Sequence, residues 1–283
     1  MPGTTIVLTI SPLTTMDTRI NIVVMATATS IEWTETTWNP VRGCSRVSPG
    51  CQHCYAERMA HRFAGPGMPY EGLTRASSVG PQWTGRVKLV HEALGEPLRW
   101  RSPQLVFVNS MSDLFHDEVP DSFIRAVFAT MTAASHHRFQ VLTKRADRLA
   151  QLAPTLEWPA NIWMGVSVES DAFTWRVDRL RSTAAAIKFV SLEPLLSALP
   201  SLDLEVIDWA IVGGESGPSA RPIEGSWVRA IRRQCRTSGV PFFFKQWGGV
   251  QKARAGRLLD GREYNEMPVG ESNERRGMVS VRG

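Results

Sequence analysis

The sequence predicts an α/β protein built on a full or partial parallel (β/α) barrel, and three observations support that prediction. Apolar runs of strand length recur along the chain, segments with helical spacing separate most of them, and the runs end in polar residues. Strands that are apolar on both faces and alternate with helices are typical of a parallel sheet. A doubly wound open sheet is the alternative that the same pattern allows.

Seven strands are predicted, at residues 31–34, 105–109, 139–143, 162–168, 187–192, 206–213 and 241–244. The clearest helix lies at residues 121–135, where five apolar residues recur with helical spacing and form a stripe: Phe123, Ile124, Val127, Phe128 and Met131.

Another helix is predicted to begin at Ser226, because serine often caps a helix start, and to carry Val228, Ile231 and Cys235 on its apolar face. We therefore expect Cys235 to be a buried core residue.

The domain organisation is predicted as one barrel-like domain over residues 31–250, interrupted by an insertion at residues 60–104. The insertion is too long for an ordinary loop, and a helix is expected in it at residues 87–94. Residues 1–30 are predicted to be a poorly ordered extension, with Met25 as an alternative start. Residues 251–283 are expected to form a hairpin at 258–264 and a polar, disordered tail.

Composition excludes several classes of protein. The hydrophobic fraction of 43% and charged fraction of 21% are ordinary for a globular protein with a substantial core. The sequence shows no run of about 18 apolar residues, so no membrane span is predicted. Residues 1–30 lack the pattern of a signal peptide, so none is predicted. Four cysteines clustered three to one do not resemble a secreted disulfide framework, which predicts a cytoplasmic protein. The net charge of +5 is compatible with a polyanionic partner.

Polar side chains follow each of the six later strands. Because the carboxyl ends of parallel strands meet on one face, where ligands bind, we expect them to form the rim of an active site. The sets are Asn109, Ser110, Ser112 and Asp113; Thr143, Lys144 and Arg145; Ser167 and Glu169; Ser191 and Glu193; Gly213, Gly214, Glu215 and Ser216; and Lys245 and Gln246.

Three of the four cysteines lie within eleven positions, as Cys44, Cys51 and Cys54 in the pattern C-x6-C-x2-C. A structural zinc site needs a fourth protein ligand, for which His61 is possible, whereas His53 lies too close to two of the cysteines. A four-iron cluster held by only three thiolates leaves one iron open to bind a small molecule, which explains the number three better. Glycine and proline around the cysteines allow the backbone to wrap closely around such a cluster.

Eight motifs together resemble those of a phage- and prophage-associated family of uncharacterised three-cysteine proteins. The match runs from about residue 31 to residue 268. The motifs are Trp38-Asn-Pro-Val-Arg-Gly-Cys44, Cys51-x-x-Cys54-Tyr-Ala-Glu57, Val108-Asn-Ser-Met-Ser-Asp-Leu-Phe115, Leu142-Thr-Lys144, Gly165-Val-Ser-Val-Glu169, Ser191-Leu-Glu-Pro194, Val212-Gly-Gly-Glu-Ser-Gly217 and Phe244-Lys-Gln-Trp-Gly248.

That family is distantly similar to radical S-adenosylmethionine enzymes such as spore photoproduct lyase. In those enzymes a cysteine loop follows the first strand and an aromatic residue sits beside the last cysteine pair, as Tyr55 does here. Their usual spacing is C-x3-C-x2-C, so the first gap of this chain is longer. The resemblance implies a barrel of the radical S-adenosylmethionine type, with a [4Fe-4S] cluster on the three cysteines and S-adenosyl-L-methionine as cofactors.

The resemblance also implies roles for the residues at the strand ends. Asp113, beside Ser110 and Ser112, is expected to hold the amino group of the cofactor, with Glu215 of the Gly213-Gly214-Glu215 segment in reserve. Ser167 and Glu169 are expected near its ribose hydroxyls. Lys144 is either a partner of a carboxylate or phosphate or a solvated charge. Glu193 and Lys245 are further rim candidates, and Trp38 and Trp247 are candidates for stacking on a base.

The function expected from this resemblance is reductive cleavage of S-adenosylmethionine followed by abstraction of hydrogen from a substrate. DNA, RNA or a nucleotide is the expected substrate class, and a flavodoxin or ferredoxin the expected electron donor. The alternative is a non-catalytic nucleic-acid-binding protein with a structural zinc or iron–sulfur site in the same loop.

Overall fold

The computed structural model describes residues 27–29 and 31–268. Helices and strands alternate through most of this range. In chain order they are β1 (Thr27–Ala28), β2 (Thr36–Trp38), β3 (Val41–Arg42), α1 (Tyr55–His61), β4 (Thr74–Arg75), β5 (Gln82–Trp83), β6 (Lys88–Leu89), β7 (Leu105–Val108), α2 (Asp121–Ala133), β8 (Arg138–Thr143), α3 (Ala146–Leu152), β9 (Ile162–Ser167), α4 (Trp175–Arg181), β10 (Ile187–Leu192), β11 (Trp209–Gly213), α5 (Gly225–Ser238), β12 (Phe242–Gln246) and α6 (Lys252–Ala255).

The main sheet has the strand order β1-β2-β7-β8-β9-β10-β11-β12. From β2 to β12 every neighbouring pair is parallel, and only β1 runs antiparallel to β2. The seven parallel strands form a curled half-barrel, which confirms the predicted fold class. Their carboxyl ends consequently lie along one edge of the sheet.

The two faces of the sheet are buried differently. One face packs against the helices, and the predicted stripe of α2 is buried there. Cys235 of α5 lies in the same core, at 1% exposure, as the sequence predicts. The other face carries a mainly aromatic cluster that includes Trp33, Phe107, Phe189 and Trp209. Alternate residues of each strand therefore serve two separate apolar layers.

Three predicted strands differ from the structure by two residues or more. Residues 31–34 form a turn, closed by a hydrogen bond from the Thr34 amide to the Ile31 carbonyl, and β2 follows it. Val206 lies outside β11 with a positive φ of 58°. Strand β12 continues two residues further than predicted, to Gln246. In each place the bounds of the apolar run differ from those of the strand. Apolar residues indicate burial, whereas backbone hydrogen bonds determine where a strand begins and ends.

The insertion at residues 60–104 contains no helix at 87–94, contrary to the prediction. Strand β6 pairs there with β3, and a short 3-10 turn at His91–Ala93 follows. Strands β4 and β5 form a second small ribbon. Likewise Ser226 lies inside α5, which begins at Gly225 with Glu224 in the N-cap position.

The segment after β12 covers the edge of the sheet. Leu259 and Arg262 exchange two backbone hydrogen bonds across a tight turn, which is the hairpin expected at residues 258–264. The chain then returns along β12, where the Phe244 amide donates to the Tyr264 carbonyl and the Phe242 amide to the Glu266 carboxylate. Most of the predicted N-terminal extension and the polar tail beyond residue 268 lie outside the described residues. In the described part of the chain, no helix is long and apolar enough to cross a membrane.

The aromatic layer predicts an effect of one glycine on stability. A Cβ atom at Gly165 in β9 would lie 2.5–2.6 Å from three atoms of the Phe189 ring. We expect Gly165→Ala to lower the free energy of unfolding by about 1–3 kcal/mol, because the ring must leave its packed position. Urea denaturation measures this. Gly95→Ala is the matched control, since its Cβ would meet only a flexible Arg99 side chain at 3.7 Å; an equal loss in both variants would contradict the packing explanation.

Candidate metal and cofactor site

The cysteine loop, residues 43–54, connects β3 through a 3-10 turn at Pro49–Cys51 to the start of α1. Gly43 opens it with a positive φ of 89°, and a Cβ there would overlap the Arg86 carbonyl, so the position requires glycine. All three cysteines of the loop line a cavity of about 410 Å³, together with residues from the carboxyl ends of the strands. The loop therefore stands over the rim that the sequence predicts.

An ion pair from the ends of β7 and β8 anchors the first cysteine. Asp113 and Arg145 are both buried, with 3.1 Å between Asp113 Oδ2 and Arg145 Nη1. The same guanidinium donates to the Ser45 carbonyl at 3.2 Å and to Ser45 Oγ at 2.8 Å, and its Nη1 lies 3.8 Å from Cys44 Sγ. Asp113 also accepts from the Thr143 hydroxyl at 2.7 Å and from the Lys144 amide at 3.1 Å. Arg145 thus joins the strand ends to the cysteine loop.

A second ion pair lies beneath the middle of the loop. Glu169 and Arg176 are almost fully buried, with 2.9 Å between Glu169 Oε2 and Arg176 Nη1. Arg176 also donates to the Ser167 carbonyl at 2.8 Å. A Cβ at Gly50 would lie 3.1–3.2 Å from the Glu169 side chain, so the loop approaches this pair closely. Glycine at position 50 lets the turn rest on the carboxylate.

A third cluster holds the end of the loop. Glu215 accepts from Arg221 Nη2 at 2.6 Å and contacts His53 Nδ1 at 2.8 Å. Arg221 also donates to the Pro49 carbonyl at 2.9 Å. Burial works to raise the pKa of the Glu215 carboxyl, but the hydrogen bonds from Arg221 and His53 outweigh it and hold this pKa at about 2. Glu215 is therefore a carboxylate at neutral pH.

These three clusters change how the acidic strand ends are interpreted. The hydrogen bonds and the ion pair of Asp113 already engage both of its oxygens, so the geometry favours anchoring over contact with a cofactor amino group. Glu169 does not line the cavity, and a place beside the ribose of a cofactor does not fit its burial. Glu215 lines the cavity but is held by two partners. Sequence reasoning placed these acids and Arg145 at the strand ends, but it did not predict that Arg145 anchors the loop and did not identify Arg221, because these ion pairs form only when the chain has folded.

Other predicted residues do face the cavity. Ser110, Lys144, Ser167, Glu193 and Gly214 line it. Gly213 does not belong to its lining. The close backbone approach expected of the two glycines occurs at Gly214, where a Cβ would overlap the Trp247 carbonyl.

The two tryptophans predicted to stack on a base, Trp38 and Trp247, lie away from the cavity. Trp38 is fully buried, and its Nε1 donates to the Ala93 carbonyl at 2.8 Å. Trp247 donates to the Leu258 carbonyl at 2.9 Å and packs against Phe244. Neither lines the cavity, whereas Trp33 and Trp83 do. The sequence pattern could not separate these four tryptophans, because each stands between polar or glycine residues whether or not it lines the cavity.

The cysteines sit in a largely apolar environment. Burial raises the pKa of the Cys44 thiol to about 12, although the Arg145 guanidinium works in the opposite direction. Burial also raises the pKa of Cys54. Such thiols are protonated at neutral pH, so a metal bound here would displace their protons.

No mononuclear site is formed by the side chains as they stand. Across residues 27–29 and 31–268, no group of three or more His, Cys, Asp or Glu side chains could hold a metal ion. His61, the possible fourth zinc ligand, contacts Thr74 Oγ1 at 3.0 Å instead. The assignment of Cys44, Cys51 and Cys54 as metal ligands stays a prediction.

The Asp113–Arg145 pair predicts a large effect of one carboxylate and a small effect of its neighbour. We expect Asp113→Ala to lower the free energy of unfolding by about 3–5 kcal/mol, because it leaves a buried guanidinium uncompensated. Asp117 lies 3.9 Å from the same guanidinium, but its side chain is 76% exposed. Asp117→Ala should therefore change stability by less than about 1 kcal/mol in the same urea titration. Comparable losses of stability in the two variants would contradict the explanation that burial of the Asp113–Arg145 pair causes the loss.

Comparison with solved structures shows a limited likeness to spore photoproduct lyase. The structure entitled "Spore photoproduct lyase complexed with dinucleoside spore photoproduct" matches with a TM-score of 0.42 and 12% identity over 76% of this chain. A variant of that enzyme with bound AdoMet and dinucleoside spore photoproduct matches with the same TM-score and identity. The chain spans 64% of the length of each. A likeness of this size carries no argument about the reaction.

Comparison by sequence identifies the family. None of the curated proteins matches the chain. The model of the family described as "Protein of unknown function (DUF5131)" matches residues 28–268, which is most of the sequence. The chain belongs to this family.

Proposed function

We propose that the protein is an iron–sulfur enzyme of the radical S-adenosylmethionine type. The observation that carries this proposal is the position of three thiols from one loop beside a cavity at the carboxyl ends of parallel strands. Ligands of parallel α/β proteins bind at this edge, and three protein thiolates leave one position of a four-iron cluster open.

The residues present fit such a cluster in their chemistry. Thiolates are the ligands that iron–sulfur clusters use, and the loop offers three of them without a disulfide. Cys44, Cys51 and Cys54 would hold a [4Fe-4S] cluster, and Arg145 would place a positive charge beside it. A cavity of about 410 Å³ also falls within the usual size of a small-molecule pocket.

When bound, the cluster would supply the electron that cleaves S-adenosyl-L-methionine. The side chains at the rim bind and orient the cofactor. Lys144, whose side chain forms no ion pair with any described residue, is suited to a carboxylate, and the hydroxyls of Ser110 and Ser167 to polar groups of the cofactor. Glu215 could contact the amino group only by sharing the oxygens that Arg221 and His53 already engage. The buried ion pairs keep these groups in place. The aromatic side chains of Trp33 and Phe107, which form the floor of the cavity, exclude water.

The substrate class and the electron donor form the finer part of the proposal. A nucleic-acid base or nucleotide as the substrate agrees with the net charge of +5. Flavodoxin or ferredoxin is proposed as the donor, with the protein acting in the cytoplasm. The competing function is non-catalytic nucleic-acid binding by a protein with a structural zinc or iron–sulfur site in the same loop.

Iron binding should depend on three cysteines and not on the fourth. We expect Cys44→Ala, Cys51→Ala and Cys54→Ala each to abolish iron incorporation, because each removes one of only three thiolates. Cys235→Ala is the matched control, since this cysteine is buried in the helix layer and should cost stability alone. Metal analysis and the visible spectrum of anaerobically reconstituted protein report the result. A colourless protein that retains one zinc per chain would overturn the proposal.

Cofactor cleavage provides the direct test of the reaction. With DNA or RNA added as the hydrogen donor, the reconstituted protein should convert S-adenosylmethionine to methionine and 5′-deoxyadenosine, detected by liquid chromatography; the chemical reductant supplies one electron and the nucleic acid one hydrogen atom. Lys144→Met should weaken cofactor binding about tenfold, equivalent to about 1.4 kcal/mol, because it removes the proposed partner of the carboxylate. Iron content should not change. Full iron loading without any 5′-deoxyadenosine would contradict the proposed activity while leaving the cluster in place.

A further inference from the structure

The wall of the cavity formed by the ends of β10 and β12 carries a compensated charge pair. Lys245 Nζ lies 2.7 Å and 3.0 Å from the two oxygens of Glu193, and both side chains line the cavity. They are mostly buried, at 13% and 20% exposure. Because the carboxylate neutralises the ammonium group, this wall does not attract an anion such as a phosphate.

Next to this pair lies an acceptor without a partner. Gln246 is 3% exposed and lines the cavity, and its Nε2 donates to Ser216 Oγ at 2.7 Å. Its Oε1 is buried and accepts no hydrogen bond from any described residue. This oxygen exposes almost no surface, so a ligand in the cavity meets instead the partly exposed Glu193 carboxylate, which accepts from an N–H or O–H group, and the Lys245 ammonium group, which donates.

The floor of the cavity adds aromatic surface and an unpaired donor. Trp33 and Phe107, whose rings are 4.7 Å apart, both line the cavity. Trp33 Nε1 is buried and donates to no described residue. Because that nitrogen exposes almost no surface, Trp33 offers its ring to a ligand, and flat aromatic surfaces favour a planar ring.

We propose that Glu193, Lys245 and Trp33 bind the substrate through a neutral planar heterocycle that carries both a hydrogen-bond donor and an acceptor. The donor pairs with the Glu193 carboxylate, the acceptor pairs with the Lys245 ammonium group, and the ring lies on Trp33. This inference rests on the proposed function, because it takes the cavity beside the cysteines as the place where the substrate reacts. A non-aromatic amide shares the hydrogen-bonding pattern but lacks the ring that the floor favours.

Binding of small probes to the full-length chain tests the inference separately from the chemistry. Uracil, 1,3-dimethyluracil, orotate and N-acetylglycinamide are titrated by ligand-observed NMR and calorimetry, with and without reconstituted iron. We expect uracil to bind at least tenfold more tightly than 1,3-dimethyluracil, which lacks both N–H donors. N-acetylglycinamide, which lacks the ring, should also bind more weakly than uracil. Orotate, which adds a carboxylate to the same ring, should bind more weakly than uracil to Lys144→Met, in which the Lys144 ammonium group cannot bind that carboxylate.

A charge variant tests the neutrality of the site. In Glu193→Gln the ammonium group of Lys245 loses its carboxylate, so orotate should gain affinity relative to uracil by about tenfold. Glu205→Gln, on the exposed surface, is the matched control and should change neither affinity. Thermal unfolding checks that the variant is folded, and the wild-type probe series decides the question if it is not.

Two results would overturn the inference. One is equal affinity for uracil and 1,3-dimethyluracil, or no measurable binding of uracil. The other is a preference for N-acetylglycinamide in the wild type, or for orotate in Lys144→Met. Either result could occur in a protein that assembles its cluster and cleaves S-adenosylmethionine, and uracil binding could persist in a chain that does neither. Failure of the inference is therefore distinguishable from failure of the proposed function.

Discussion

The ion pair between Asp113 and Arg145 is the interaction on which the arrangement of the cysteine loop most depends. It joins the ends of two central strands and extends to the backbone of Ser45 and the sulfur of Cys44. The buried pair of Glu169 and Arg176 and the pair of Glu215 and Arg221 act in the same way further along the loop. A loop rich in glycine and proline has little order of its own, so these contacts from the strand ends set its shape.

Much of the fold was predictable because parallel strands buried on both faces leave long apolar runs. The polar residues that follow each run indicated the rim correctly, as Ser110, Lys144 and Glu193 show. The first strand was misplaced because residues 31–34 are apolar for a different reason. Trp33 belongs to the aromatic layer and packs on Phe107 from a turn, so burial without strand pairing produced the same pattern.

The roles of the acidic residues could not be predicted from their positions. A carboxylate at a strand end has the same sequence pattern whether it faces a ligand or an arginine. The difference at Asp113 and Glu215 depends on Arg145 and Arg221, and the position of a guanidinium at the end of a long side chain is set only by the folded chain. The same limit applies to Gln246, whose unpaired oxygen becomes apparent only when its other neighbours are known.

The segment that returns along β12 has a consequence for the behaviour of the chain in solution. A half-barrel, unlike a closed one, ends in strands with unpaired backbone groups, and such edges can join another molecule. Here the Tyr264 carbonyl accepts a hydrogen bond from the Phe244 amide of β12, and the Glu266 carboxylate accepts one from the Phe242 amide. The guanidinium groups of Arg232 and Arg262 lie 4.5 Å and 4.4 Å from the centre of the Tyr264 ring and add charge near this edge. The segment that follows the hairpin thereby covers the edge at β12, where a strand of another molecule could otherwise pair.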